Sequence, residues 1–247
     1  MKTIDSYFKD ELIKPSIKYG ADISELAIDE ILPNELLKKV PVVKTIIQMV
    51  EIGNYFQKRK LIKNISLFLC EYNSEKINQE KKKNFINKLQ EKKYSGEVID
   101  LLLDYFQKTR KDINTIMMSK VFIRYIEEEI TFNQMEVIFY AIEHLSEKDM
   151  LTLINFYKNN SAGMGYIDTD DIDSYSICFG FNNLRNYHLM VISQDIDTNR
   201  SKIEAKYDEG YSRAPYAYEP KIVVDIREIG SLMEEGKILA QIAIDIL

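Results

Sequence analysis

After Gly96 the chain runs to Tyr157 without a glycine or a proline, and its apolar residues recur at three- and four-residue steps. Val98, Leu101, Leu102, Tyr105 and Phe106 make one stripe, and Met117, Met118, Val121, Phe122, Tyr125 and Ile126 a second. Met135, Ile138, Phe139 and Ile142 make a third. That spacing lays each set along one side of a helix, and a one-sided apolar helix is stable only against another apolar surface. Helices expected at 96–108, 112–128 and 131–144, joined by short polar turns, describe the centre of a helical bundle. Thr131 is the expected cap of the third. Ser146 is the expected cap of a further helix through Tyr157, with Asp149 three residues on.

The N-terminal part extends the helical pattern. Residues 4–20 predict a short helix ending near Pro15, and Ile23–Leu32 a second, with Ile23, Leu26, Ala27 and Ile31 on one side. Pro33 and Pro41 each suit a first helical position. Val42–Ile52 is the most apolar window, wide enough in its apolar arc to be core, and much shorter than the about 20 residues a membrane span needs. Beyond Gly53 a helix continues through Leu69, and Glu75–Tyr94 predicts one more helix with Ile77, Phe85, Ile86 and Leu89 inward. Only nine glycines and five prolines in 247 residues agree with a mainly helical chain.

Composition changes past the loop Asn159–Gly165. His188–Ser193 and Lys221–Ile226 are β-branched runs separated by a polar loop, and Glu228–Leu247 returns to a helical pattern, with Gly236 as a possible break. Helices, strand, long loop, strand, helix is the order of a winged-helix module. The fold expected is therefore mainly α: a helical bundle over residues 1–145, then a small α+β winged-helix-like module over 146–247. In it, Phe179–Asn186 occupies the recognition-helix position and residues 194–220 form the wing loop.

Charge is unevenly spread within a net −6. Residues 1–37 carry four lysines and eight acids, residues 38–93 fourteen Lys/Arg and five glutamates, and residues 94–247 fifteen Lys/Arg and twenty-six acids. The basic block makes Lys58, Arg59, Lys60, Lys63, Lys81, Lys82 and Lys83 candidates for contact with an anionic surface, either headgroups or nucleic acid. Solvated helix faces are the simpler reading, since nucleic-acid sites usually add arginine. Residues 146–247 hold ten Lys/Arg against seventeen acids, with only Arg185 on the candidate recognition helix, which opposes DNA binding. In the wing, Tyr207, Tyr211, Arg213, Tyr216 and Tyr218 are candidate contacts for a protein partner.

Catalytic and metal patterns are weak. Asp168–Asp173 lacks the glycine and the acidic twelfth ligand of a calcium loop, those places holding Asp173 and Phe179. His144 and His188 have no Cys or Glu at ligand spacing, and His144 suits the C-terminal end of a helix dipole. A Cys178–His188 dyad has nothing to activate the thiol. No phosphate loop or nucleophile elbow is present. Two distant cysteines, Cys70 and Cys178, an N-terminus without a signal-like apolar core and no long apolar run lead to a cytoplasmic expectation. The expectation is a non-enzymatic interaction or regulatory protein without metal, cofactor or small-molecule substrate. It takes a protein partner and has homo-oligomerisation open to it. The alternatives are a membrane-acting effector inserting Val42–Ile52 and a nucleic-acid binder using residues 58–93.

The stretch Val40–Leu69, the helical middle and the winged-helix-like end resemble a group of bacterial proteins similar to the abortive infection alpha family, found beside phage-defence genes. The middle, with Lys120-Val-Phe-Ile-Arg-Tyr-Ile126 before Ile130-Thr-Phe132, also resembles TerB-like helical domains of tellurite-resistance and stress proteins. The acidic metal-binding positions of TerB-like domains have no counterpart here, so the resemblance carries no site residue. It implies a setting, phage defence or stress response.

Overall fold

The computed structural model describes residues 3–15, 37–49, 55–160, 164–167, 181–196, 202–204, 221–223 and 226–247, and these are mainly helical. They divide into two compact units, residues 1–146 with 241–247, and residues 147–240. The predicted helix Ile23–Leu32 lies outside the described residues.

In the first unit, α1 is Ile4–Ile13, a single 3-10 turn is Leu37–Lys39, α2 is Pro41–Met49 and α3 is Tyr55–Ser74. There follow α4 (Gln79–Lys88), α5 (Lys92–Lys108), α6 (Asp112–Ile126) and α7 (Phe132–His144). Thr131 caps α7 through a reciprocal capping box with Gln134, satisfying two backbone donors. The single helix expected over Glu75–Tyr94 is instead α4 and the first turn of α5. Asn78 stops the chain from running on, because its carboxamide oxygen accepts from Glu80 N and Lys81 N and starts a new helix. Leu89 then buries and closes that helix.

The organising element is α3. Every residue from Ile62 to Cys70 is buried, so the middle of this helix is enclosed all round. It packs on α6, α5 and α2, while α7 lies against α5 and α6. Phe68 sits at the centre of an aromatic cluster, with ring centroids 4.9 Å from Phe106, 5.2 Å from Phe122 and 6.2 Å from Phe8. Burying such rings contributes about 2–3 kcal/mol each, and offset pairs add about 0.5–1.5 kcal/mol. The buried Tyr72 hydroxyl donates to the Leu12 carbonyl at 3.2 Å and so ties α1 to the cluster.

In the second unit, α8 (Glu147–Asn159), β1 (Met164–Ile167) and α9 (181–186) precede β2 (Met190–Ile196). Then come β3 (Lys202–Glu204), β4 (Lys221–Val223), β5 (Ile226–Leu232) and the start of α10 (Glu234–Ile246), whose residues from 241 on belong to the first unit. One sheet has the order β1-β5-β2 with both pairings antiparallel; β3 and β4 pair as a separate ribbon. The helix expected from Glu228 is corrected here: residues 226–232 are a central strand, and the helix starts at Glu234. Ile229, Leu232 and Met233 suited a helical stripe, but β1 and β2 both pair with this segment, and among the described residues they pair with no other strand.

Among the described residues, two helices end on a left-handed residue other than glycine. At the end of α9, His188 adopts φ 58°, and the paired bonds His188 N to Arg185 O and Leu189 N to Leu184 O form a Schellman motif. Glu128, φ 59°, does the same after α6. His188 thus serves a turn. Within α10, Gly236 does not break the helix, and the Leu189 carbonyl lies against it, 2.2 Å from where a β-carbon would sit. That carbonyl also accepts from Met233 N at 2.9 Å.

Gly236→Ala is therefore expected to lower stability by about 1–3 kcal/mol, since backbone must move to admit the methyl group. Gly96→Ala, in α5 with open space around it, is expected to raise stability by about 0.5–1 kcal/mol. Chemical denaturation of the two variants checks the contrast, and a loss at both positions would refute it.

Candidate functional site

The helix ends of the first unit frame an open groove of roughly 1080 Å³. One wall is the start of α3, with Gln57 and Lys60; a second is the end of α5 and its turn, Tyr105 to Arg110. The third is the last turn of α7, with Tyr140, Glu143 and His144.

Inward-pointing side chains hold these ends in place. Asn64, fully buried on α3, donates to Phe106 O at 2.8 Å and Thr109 O at 3.0 Å, so it closes the C-terminus of α5. Asn114 on α6 donates to Ile142 O at 2.9 Å and closes α7 in the same way. An unbonded carbonyl in either place would cost about 1–3 kcal/mol, which makes the two carboxamides a condition for the groove's walls to end where they do. On the floor, the buried Thr109 hydroxyl donates to Glu143 Oε2 at 3.0 Å.

The aromatic lining comes from two tyrosines. Tyr140 is 48 % exposed, off the buried stripe of α7, and its ring lies 4.2 Å from that of His144. The His144 Nδ1 is 2.8 Å from the Tyr140 carbonyl, so in the neutral ring this nitrogen carries the proton. Tyr105 is buried edge-on against Phe139. Burial, and then the carboxylates Glu136, Asp104 and Glu143, push its hydroxyl up to about 12, so it is a phenol at neutral pH.

Cations near the groove are mostly engaged. Lys60 and Lys63, whose side chains are 14 % and 10 % exposed, meet Asp112 at 2.9 and 2.5 Å. Burial alone would raise the Asp112 carboxyl, but hydrogen bonds and charge from Lys63 and Lys60 outweigh it and hold it below its ordinary value. Lys108 pairs with Asp104 at 2.5 Å.

The remaining candidates of the basic block are spread over other contacts. Lys58 donates to the Ile47 carbonyl at 3.0 Å, Arg59 is half-buried, and Lys83 is exposed. Lys81 bonds Glu128, with Lys88 on its other oxygen, and together they hold that carboxyl below its ordinary value. Lys82 stands 4.7 Å over the Tyr72 ring, where burial lowers its affinity for a proton. Val42, Val43 and Ile46 of the apolar window are buried, while Val50–Ile52 lie outside the described residues. Tyr207, Tyr211, Arg213, Tyr216 and Tyr218, the acidic turn Asp168–Asp173 and Cys178 also lie outside them.

A smaller recess, about 290 Å³, borders Tyr94 and Tyr125, whose hydroxyls hydrogen-bond to each other at 2.7 Å. Among the described residues no group of three or more His, Cys, Asp or Glu is placed to hold a metal ion, and no helix is long and apolar enough to cross a membrane. Sequence reasoning missed the groove. Tyr140 was its one visible signal, as an aromatic residue outside a helix's buried stripe.

Asp112→Asn leaves two largely buried lysine side chains without their carboxylate. Because Asp112 is itself 41 % exposed, the expected loss is about 1–2 kcal/mol at neutral pH, less than for a fully buried pair. A carboxyl held low in the folded state stabilises above its unfolded value and ceases to do so as pH falls through the folded one. The gap between the two proteins should therefore persist at neutral pH and narrow below about pH 3.8. Denaturation midpoints over a pH series measure it, and a gap that widens in acid would contradict the pairing.

No protein-family model matches the chain, and searches of curated proteins and of solved structures found no match.

Proposed function

We propose that this chain is a non-catalytic interaction protein that docks a segment of a protein partner in the groove of its helical unit, in the phage-defence or stress setting that the sequence resemblance implies. The observation that carries the reading is the combination of chemistry along the groove. Tyr140 offers a ring nearly half exposed, and the exposed side chains of Gln57 and Gln107 make no hydrogen bond with any described residue. A polypeptide needs apolar contact and amide partners together, and these walls supply both. Tyr105 stays protonated, and the Glu143 carboxylate is engaged by Thr109, roles that suit holding better than proton transfer.

The second unit is read as a winged-helix-like contact module. Its support is the antiparallel order β1-β5-β2, with α9 leading into β2 and a long connection between β2 and β5. Seventeen acids against ten Lys/Arg over residues 146–247 favour a protein over DNA as what it meets.

The test is site-specific photocrosslinking in cells. A crosslinking residue at Gln107 is expected to capture a defined protein, lost when Tyr140→Ala is added at unchanged thermal stability. The same residue at Asp100, exposed elsewhere on α5, should not capture it. Equal capture at both positions would remove the groove from the proposal.

A further inference from the structure

Resting on the docking reading, we infer that the groove takes an acidic stretch of its partner, with a carboxylate on Arg110 and a neighbouring apolar side chain against Tyr140. The turn between α5 and α6 places three cations in four residues, Lys108, Arg110 and Lys111. Lys108 is spent on Asp104, but Arg110 and Lys111 are exposed and pair with no carboxylate among the described residues. A guanidinium at the rim can hold a carboxylate through two parallel N–H bonds, which fixes direction as well as adding affinity.

Extended polyanions fit less well. The C-terminal ends of α5 and α7 both face the groove, where helix dipoles disfavour negative charge, and Glu143 adds a carboxylate to the floor. Asn64, Asn114 and the His144 ring already occupy carbonyls of those ends, which mutes the effect at single points but not along a phosphate chain. One or two carboxylates at the Arg110 side therefore match the charges present, and a nucleic acid does not.

The test is selection of a phage-displayed library of short random peptides on the immobilised full chain. Enriched peptides are expected to carry Asp or Glu close to Phe, Tyr or Leu. Binding of the synthesised winner should weaken about tenfold or more in Arg110→Glu, and also in Tyr140→Ala, with no change in Lys83→Glu. A winner lost in Tyr140→Ala but indifferent to Arg110→Glu would overturn the acidic preference and leave the docking groove standing. No enriched peptide at all would overturn both. Displacement of the winner by single-stranded oligonucleotide, sensitive to Arg110→Glu, would make nucleic acid the occupant and refute the peptide.

Discussion

A helix enclosed on every side sets the terms for the first unit. From Ile62 to Cys70 every residue of α3 is buried, yet that stretch includes Lys63, Asn64 and Ser66. An unbonded buried polar group costs about 1–3 kcal/mol, so Lys63 and the Asn64 amide nitrogen pair inside, while the Asn64 carboxamide oxygen and the Ser66 hydroxyl are buried without a hydrogen-bond partner among the described residues. Phe68 answers the apolar side with Phe8, Phe106 and Phe122. Asn64 and Lys63 answer the polar side by reaching the end of α5 and the start of α6. The packing of α3 thereby decides where its neighbours stop.

The groove is a consequence of those stops. Helices that ended a turn later would fill the space now lined by Tyr105, Gln107 and His144. Asn64 and Asn114 close α5 and α7 from within, so no solvent-side cap is required and the outer faces of the final turns remain available. The same arrangement explains why the cations fall into two groups. Lys60 and Lys63 are drawn inward to the first-turn carboxylate of α6, while Arg110 and Lys111, on the turn itself, meet no carboxylate among the described residues.

The sequence was readable where a single face of a helix is buried. The stripes ending at Phe106, Ile126 and Ile142 marked α5 to α7 closely, and Thr131 was legible as the cap of α7, though not Gln134's reciprocal bond to it. It was less readable where burial is two-sided or conferred by neighbours. The helical spacing of Ile229, Leu232 and Met233 was accidental, and only the flanking strands reveal β5. Asn78 divides what periodicity presents as one helix, because its side-chain bonds to Glu80 and Lys81 outweigh continuity of pattern. Lys60 and Lys63 resembled solvated charge for a related reason: their partner, Asp112, lies far along the chain.

By itself the sequence determined that this chain is mainly helical, which helices carry a one-sided apolar stripe and where several of them begin, because those properties depend on residues three or four apart. The tertiary structure alone decided that α3 is the buried centre, that buried asparagines close α5 and α7, and that Tyr140, Glu143 and Arg110 share a groove. The first two depend on groups dozens of residues apart meeting out of water, where a hydrogen bond has no solvent to replace it, and the groove follows from where they end its walls.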